Sequence, residues 1–147
     1  MRSRMMTLLV LPLLLAACSG LTVQTKPQAV TLEASAMHFQ PATLEVIVGQ
    51  PVELTFKNGD SLDHDFSVME IPLVNGTAQD SSSPMPGHEM GGMSGMAGMP
   101  ALHVAVPMGT TGKLQFTPSK PGTYEFYCSV TGHKEAGMVG TLVVKAQ

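Results

Sequence analysis

The sequence has no Trp, only two Cys, and charged residues at just 13% of its length. Without residues 1–17, which contain both Arg residues, six Lys oppose eleven Asp and Glu, giving a formal charge of −5. No basic surface remains for a polyanion, so we expect no nucleic-acid partner. The 147 residues are enough for one domain with its own core and too few to suggest two. We expect a monomer of one domain.

Long apolar runs are also absent, apart from one near the N-terminus. Leu8 to Ala17 follows Arg2 and Arg4, which is the layout of a secretion signal, and the run is too short to span a bilayer. It ends in Leu-Ala-Ala-Cys, which resembles the bacterial lipobox, where cleavage before the Cys leaves a lipid-modified N-terminus. We therefore predict a signal peptide over 1–17, lipidation of Cys18 and a polar tether over 18–28. The alternatives are an ordinary signal peptide with a chance Cys, or an uncleaved membrane tail.

Lipidation of Cys18 predicts a protein held at a membrane outside the cytoplasm, in the periplasm or cell envelope. Lasting attachment needs more than one acyl chain, which a multiply acylated Cys provides. Ser19 directly after the Cys resembles the pattern of outer-membrane sorting, so the outer membrane is the favoured location.

Cysteine is scarce enough to be informative. If Cys18 carries lipid, Cys128 is the only thiol in the folded part, and an internal disulfide is excluded. An unpaired thiol in an oxidising compartment needs something that holds and shields it, and a metal does both. The alternative is a buried Cys that acts as a small hydrophobic residue.

Aromatic residues make up only 5% of the chain, but Val, Leu, Thr, Gly and Pro are plentiful, which favours strands and turns. From about Ala29 onward, apolar residues alternate with polar ones in short segments separated by turn signals. We predict an all-β domain over 29–147, a Greek-key β-sandwich of about eight strands in two antiparallel sheets. The predicted strands cover 30–36, 44–48, 52–56, 64–68, 102–106, 113–116, 123–127 and 139–144.

Residues that favour soft metals cluster after the seventh predicted strand. Its alternation places Cys128 on the core face at the strand end, and His133 and Met138 follow at intervals of five. His64, at the inward-facing start of an earlier strand, can complete the set. A thiolate, two imidazoles and a weak thioether suit a trigonal copper site, whereas zinc prefers a Cys and His set without Met.

Three motifs carry a resemblance to the small blue copper proteins, the cupredoxins, over roughly 29–147. They are Gly-Thr-Tyr-Glu-Phe-Tyr-Cys ending at Cys128, the Cys-x4-His-x4-Met that follows, and Asn58 to His64. The resemblance implies one type 1 copper that alternates between Cu(I) and Cu(II). It also implies that His64, Cys128 and His133 are the equatorial ligands and Met138 the axial one.

The resemblance implies a single-electron carrier with a redox protein partner, and not an enzyme. The second hypothesis is a copper-handling protein that exchanges Cu(I) with a donor or acceptor protein. A copper enzyme such as a nitrite reductase or oxidase is disfavoured, because such family members need a second copper centre and further cupredoxin domains.

The chain departs from the family pattern at Asp65, where members often carry Asn. A carboxylate accepts hydrogen bonds but cannot donate them. An ionised Asp65 close to the thiolate would favour Cu(II) and lower the reduction potential. The alternative, given equal weight, is that Asp65 faces water, because its strand phase is opposite to that of His64.

Other residues near these motifs have plainer interpretations. His38 and His103 are expected to be structural, and Tyr127 to have a packing role in preference to one in electron passage. We expect His133 to present its outer edge to solvent as the electron port, surrounded by a small apolar rim that includes Ala136 and Gly137.

A flexible insertion over 72–101 interrupts the strand pattern with Gly, Ser, Pro and Met, and it is far longer than ordinary sandwich loops. Clustered thioethers favour Cu(I), so the insertion is a candidate second copper site. A flexible adhesive loop or partner-docking surface is the alternative, since Met suits adaptable interfaces. The candidate ligands are Met85, His88, Met90, Met93, Met96 and Met99.

Overall fold

Short strands account for most of the chain in the computed structural model, which describes residues 26–76, 78–80 and 98–147. Ten β-strands lie within these ranges. The predicted signal peptide, Cys18 and most of the tether lie outside the described residues. The strands are β1 Gln28–Ser35, β2 His38–Gln40, β3 Thr43–Ile47, β4 Val52–Asn58, β5 His64–Val68, β6 Gln79–Asp80, β7 Leu102–Val106, β8 Thr111–Phe116, β9 Gly122–Tyr127 and β10 Val139–Lys145.

The strands form two five-stranded sheets, in the orders β2-β1-β4-β8-β6 and β3-β10-β9-β5-β7. The all-β sandwich is therefore confirmed, but the sheets are mixed and not purely antiparallel. β1 pairs in parallel with β4, and β10 in parallel with β3. The physical reason is the connectivity, because the chain leaves β1, contributes to the other sheet and returns in the same direction as β4.

Two of the strands have no counterpart in the sequence analysis. β2 has three residues and β6 two, which is too short for alternation to be visible. β6 lies inside the predicted insertion over 72–101, and Leu73 forms an isolated bridge with Pro118. The N-terminal part of that segment thus belongs to the sandwich.

The core between the sheets contains a cluster of aromatic rings. Phe39 contacts Phe126 edge-on with ring centroids 5.2 Å apart, and the ring centroid of Phe66 lies 5.1 Å from that of Phe126. Phe56 extends the cluster, 5.8 Å from Phe39. Each fully buried ring contributes about 2 kcal/mol. This cluster fixes β5 and β9 side by side, and these two strands lead to the candidate site.

None of the helical segments among the described residues has the length and apolar character needed to cross a membrane.

Candidate metal centre

Three neighbouring strands bring the predicted ligands to one end of a single sheet. His64 begins β5, Cys128 follows the last residue of β9, and Met138 precedes the first residue of β10. These strands are adjacent in the order β10-β9-β5, and β9 runs antiparallel to both neighbours. The start of one strand therefore meets the end of the next, which places these three residues together, and His133 lies on the loop between Cys128 and Met138.

The donor atoms of the two His residues and Cys128 form a compact triangle. The Nδ1 atoms of His64 and His133 are 3.1 Å apart, and Cys128 Sγ lies 3.8 Å from the former and 3.4 Å from the latter. A point equidistant from the three atoms is about 2 Å from each, which is the length of a first-row metal bond to an imidazole nitrogen. The residues present fit a mononuclear metal ion without rearrangement.

Burial completes the case for a metal. The exposed fractions are 1% for His64, 0% for Cys128 and 9% for His133. Burying two imidazoles and a thiol against one another costs free energy unless these groups have bonding partners, which a metal ion provides. Among the residues that the structure describes, this is the one group of three such side chains close enough to hold an ion. One thiol and two imidazoles are soft to borderline donors of the kind that copper takes.

Met138 is buried beside the triangle, with an exposed fraction of 0%. Its backbone N–H donates to the carbonyl of His133 at 2.9 Å, and its carbonyl accepts from the N–H of Cys128 at 3.1 Å. The structure thus brings all four predicted ligand residues together. These backbone bonds connect Met138 to both neighbouring ligands along the loop.

The loop between Cys128 and Met138 is closed by its own backbone hydrogen bonds. His133 N–H donates to the Val130 carbonyl at 3.0 Å, inside the turn that returns the imidazole to the thiol. Gly132 and Gly137 have positive φ angles of 85° and 97°, a conformation that glycine adopts without steric cost. The Cys-x4-His-x4-Met spacing therefore corresponds to a loop with two turns, one before His133 and one between His133 and Met138.

The surroundings of Cys128 shift the pKa of its thiol. Burial raises the pKa of its thiol above the ordinary value, and a backbone hydrogen bond from Asp65 acts in the opposite direction. The Asp65 nitrogen lies 3.4 Å from Cys128 Sγ. A metal that binds here must displace the thiol proton.

Asp65 is buried, with an exposed fraction of 5%, so the interpretation that it faces water is wrong. Every residue of β5 is buried, and at Asp65 the covering contacts come from Ser129, directly after Cys128. The carboxylate accepts from the Ser129 N–H at 2.8 Å, the Ser129 hydroxyl at 2.6 Å and the Ser67 hydroxyl at 3.0 Å. Asp65 therefore joins the segment that carries His64 to the segment that carries Cys128.

Two further polar residues support the loop that leads to His64, and neither was predicted to have a role in the site, although both lie in the motif from Asn58 to His64. Asn58 is 3% exposed, and its side-chain amide donates to the carbonyls of Leu62 and Val106 at 2.8 and 2.9 Å. Asp60 Oδ2 lies 3.3 Å from Nε2 of His64. The available signal was the acid four residues before the His, but Asn-Gly-Asp also describes an ordinary turn.

The carboxyl of Asp60 is held in its ionised form by backbone donors. Oδ2 accepts from the Met37 N–H and Oδ1 from the Ser61 N–H, each at 2.9 Å. Chiefly the bond from Met37, followed by that from Ser61, lowers the pKa of Asp60 below its ordinary value.

Three apolar side chains are exposed at this end of the sandwich, among polar residues of the same loops. Leu62, Met108 and Val130 are exposed, and they lie on the three loops that flank the site. Ala136 and Gly137 are exposed on the loop that carries His133. Met108 is linked to the His64 loop, since its N–H donates to Asp63 Oδ1 at 2.8 Å.

The remaining residues singled out from the sequence are not members of the triangle. His38 and His103 are exposed, and His38 Nδ1 lies 2.7 Å from the carbonyl of Ala36. Tyr127 packs beneath Lys134, whose Nζ is 4.2 Å from the ring centroid. Lys134 also pairs with Glu125, which raises the pKa of the lysine.

Of the candidate ligands in the insertion, Met99 is the one within the described residues. It lines an open cavity together with Met69, Glu70 and Tyr124. Met69 directly follows β5, so this cavity lies at the end of the strand opposite His64. Met85, His88, Met90, Met93 and Met96 lie outside the described residues, and the second copper site stays a prediction.

A family model described as copper binding proteins of the plastocyanin/azurin family matches residues 27–145. Two relatives named copper-resistant cuproprotein CopI are similar to this chain. The one from Rubrivivax gelatinosus is 35% identical over 112 residues, 76% of this chain and 62% of the relative. The one from Pseudomonas aeruginosa is 30% identical over 130 residues, 74% of this chain and 71% of the relative. The chain thus spans less than two thirds of the length of the first of these.

Solved structures of auracyanins share the fold. Auracyanin B aligns with a TM-score of 0.59 and 26% identity, covering 84% of this chain and 93% of its own. Auracyanin A, a "blue" copper protein from Chloroflexus aurantiacus, aligns with a TM-score of 0.58 and 22% identity, covering 82% of this chain and 100% of its own. These similarities concern the fold of the sandwich.

Proposed function

The chain is a cupredoxin, a member of the plastocyanin/azurin family of copper-binding proteins, and we propose that it transfers single electrons through one type 1 copper. The observation that carries the proposal is the buried triangle of His64, His133 and Cys128, with donor atoms 3.1 to 3.8 Å apart. When bound, copper supplies the one-electron exchange between Cu(II) and Cu(I).

The roles of the ligands follow from their chemistry and position. His64, Cys128 and His133 would hold the copper as its equatorial ligands, and the buried thioether of Met138 would be a weaker axial donor. A rigid sandwich holds the donor atoms, so the geometry need not change when the charge on the metal changes. This property serves electron transfer and not substrate chemistry, and we propose a carrier without enzymatic activity.

His133 is the proposed point of electron entry and exit. It lies on an exposed loop and retains 9% exposure, the largest value among the three ligands of the triangle. The apolar side chains of Leu62, Met108 and Val130 surround this end and suit a transient redox partner, which needs a small, desolvated contact.

Copper handling is the second candidate function, and a different observation favours it. Both curated relatives are named copper-resistant cuproproteins, at 35% and 30% identity. As a copper handler, the protein would capture Cu(I) from a donor protein or deliver it to an acceptor protein through the Met-rich insertion over 72–101.

One comparison separates the two functions. A carrier shows a reversible one-electron couple and keeps its copper through repeated cycles in the presence of a Cu(I) acceptor. A copper handler loses Cu(I) to the same acceptor. Voltammetry of the copper-loaded protein, followed by metal analysis after each cycle, measures both properties, and rapid loss of copper would contradict the carrier.

We further propose that the protein is a monomer anchored by lipid on Cys18 in the periplasm or cell envelope, with the outer membrane favoured. The basic and apolar N-terminus ending in Leu-Ala-Ala-Cys supports this location. Cys18→Ala should release the protein from membranes or block its processing, without altering the copper spectrum. Fractionation of cells that express each form measures this, and unaltered attachment in the variant would contradict lipidation.

A further inference from the structure

His64 uses its two ring nitrogens in different directions. Nδ1 points to the other donor atoms, 3.1 Å from His133 Nδ1 and 3.8 Å from Cys128 Sγ. Nε2 points away from them, 3.3 Å from Asp60 Oδ2. When Nδ1 binds a metal, the ring proton must reside on Nε2, where it becomes a donor that needs an acceptor. The His64 side chain is buried, so water does not fill that role.

We propose that Asp60 is a positioning residue of the copper centre, whose carboxylate accepts the Nε2–H of His64 and makes the site favour Cu(II) over Cu(I). An anionic acceptor fixes the orientation of the ring and makes the ligating nitrogen a stronger donor. The more highly charged oxidation state gains more from this. The inference rests on His64 as a ligand, and it holds for an electron carrier and for a copper handler alike.

Asp60 is itself held in place from two directions, which is what a positioning residue requires. The Met37 N–H reaches Oδ2 from the turn between β1 and β2, in the opposite sheet. Ala36 and Met37 both adopt positive φ in that turn, at 51° and 64°, which is uncommon for residues other than glycine. The carboxylate thus links a turn of one sheet to a ligand of the other.

The buried amide of Asn58 provides the second support. Its Oδ1 accepts from the Asp60 N–H at 3.0 Å, while its Nδ2 donates to Leu62 and Val106. Asn58 therefore shapes the loop so that the carboxylate of Asp60 faces His64.

Asp63 offers a matched control on the same loop. It is an acid three residues from Asp60, its Oδ1 accepts from the Met108 N–H, and no bond to a ring of the triangle is formed. Asp63→Asn removes one negative charge close to the centre but leaves the acceptor of His64 intact. Comparison with Asp60→Asn therefore separates the direct contact from the general effect of local charge.

The experiment measures the affinity for Cu(II) and for Cu(I) separately, by competition with a chelator for each ion, in Asp60→Ala, Asp60→Asn, Asp63→Asn and the unaltered protein. Asp60→Ala should lower the Cu(II) affinity by about 10- to 100-fold and the Cu(I) affinity by less. Asp60→Asn should lose less affinity than Asp60→Ala, again more for Cu(II) than for Cu(I), because its amide oxygen still accepts from His64. Asp63→Asn should lie close to the unaltered protein.

Two results would overturn the proposal. One is an equal loss of affinity for both oxidation states, which would mean that Asp60 only stabilises the loop. The other is an Asp60→Asn protein indistinguishable from Asp63→Asn. Thermal unfolding of the metal-free variants is the control for folding. If Asp60→Ala does not fold, the proposal is tested by whether Asp60→Asn loses more affinity for Cu(II) than for Cu(I). Failure of the unaltered protein to bind copper would contradict the proposed function instead.

Discussion

Met138 is the proposed weak ligand, which is expected to influence the reduction potential of the copper. A weak axial thioether donates some charge to Cu(II), and its removal destabilises that state relative to Cu(I). Met138→Leu keeps an apolar side chain of similar volume at a fully buried position. We predict that this variant keeps the visible colour and has a higher reduction potential than the unaltered protein, as measured by voltammetry.

A lowered or unchanged potential in Met138→Leu would contradict the axial role. The control is Met108→Leu, because Met108 is exposed at the same end of the molecule and no bond connects its side chain to the triangle. That variant should leave the potential unchanged.

Some residues of the site could be predicted from the sequence and others could not. The spacing of Cys128, His133 and Met138 identified the loop, because ligand types and intervals are properties of the sequence. The roles of Asp60 and Asp65 were not predictable in the same way. Asp65 is buried by the segment after Cys128, and Asp60 meets Met37 across 23 residues of chain, so both depend on which segments pack together.

Strand β10 carries a glycine that the packing of the core requires. A Cβ on Gly140 would collide with the ring of Phe126 and lie 2.8 Å from the carbonyl of Ala42. Phe126 is the ring at the centre of the aromatic cluster and lies two residues before Cys128. We predict that Gly140→Ala lowers the free energy of unfolding by about 1–3 kcal/mol, measured by chemical denaturation of the metal-free protein.

Gly59 provides the control for this substitution. A Cβ there would have its nearest contact at 3.5 Å, with the carbonyl of Ala34, which is ordinary van der Waals distance. Gly59→Ala should therefore change the stability much less. Equal stability of Gly140→Ala and the unaltered protein would contradict the packing described for β9 and β10.

Strands with five or more residues were predictable, because alternation over that length indicates which face is buried. β7 matches its predicted bounds, Leu102–Val106. The short strands β2 and β6 could not be recognised, since two or three residues carry no periodicity. The parallel pairs were also unpredictable, because alternation gives the faces of a strand but not its neighbour or direction.

At the scale of the whole molecule, the Met-rich segment, residues 84–100, can be deleted without removing any strand that the structure describes. Deletion of Pro84 to Pro100 falls between β6 and β7 and leaves every described strand in place. The four proposed ligands of the centre all lie outside the deleted segment. If the thioethers bind metal, they bind Cu(I), since Cu(II) gains less from neutral sulfur donors.

We predict that reduced protein with a filled main site takes up further Cu(I), and that the deleted form does not. The visible band of the oxidised protein should be the same in both forms. Titration against a competing Cu(I) chelator gives the stoichiometry. Equal uptake by the two forms would leave electron transfer, with the segment as a docking surface, as the better account.

Cys128 is the proposed thiolate ligand to copper in a centre shared with His64 and His133, and the visible absorption spectrum of the Cu(II)-loaded protein shows whether its sulfur binds the metal. We predict an intense thiolate-to-copper charge-transfer band at one copper per chain. Cys128→Ser should lose the band and most of the copper affinity, because a hydroxyl stays protonated at neutral pH and is a poor ligand. A colourless protein with a full complement of copper, or an intense band that persists in Cys128→Ser, would contradict this role of Cys128.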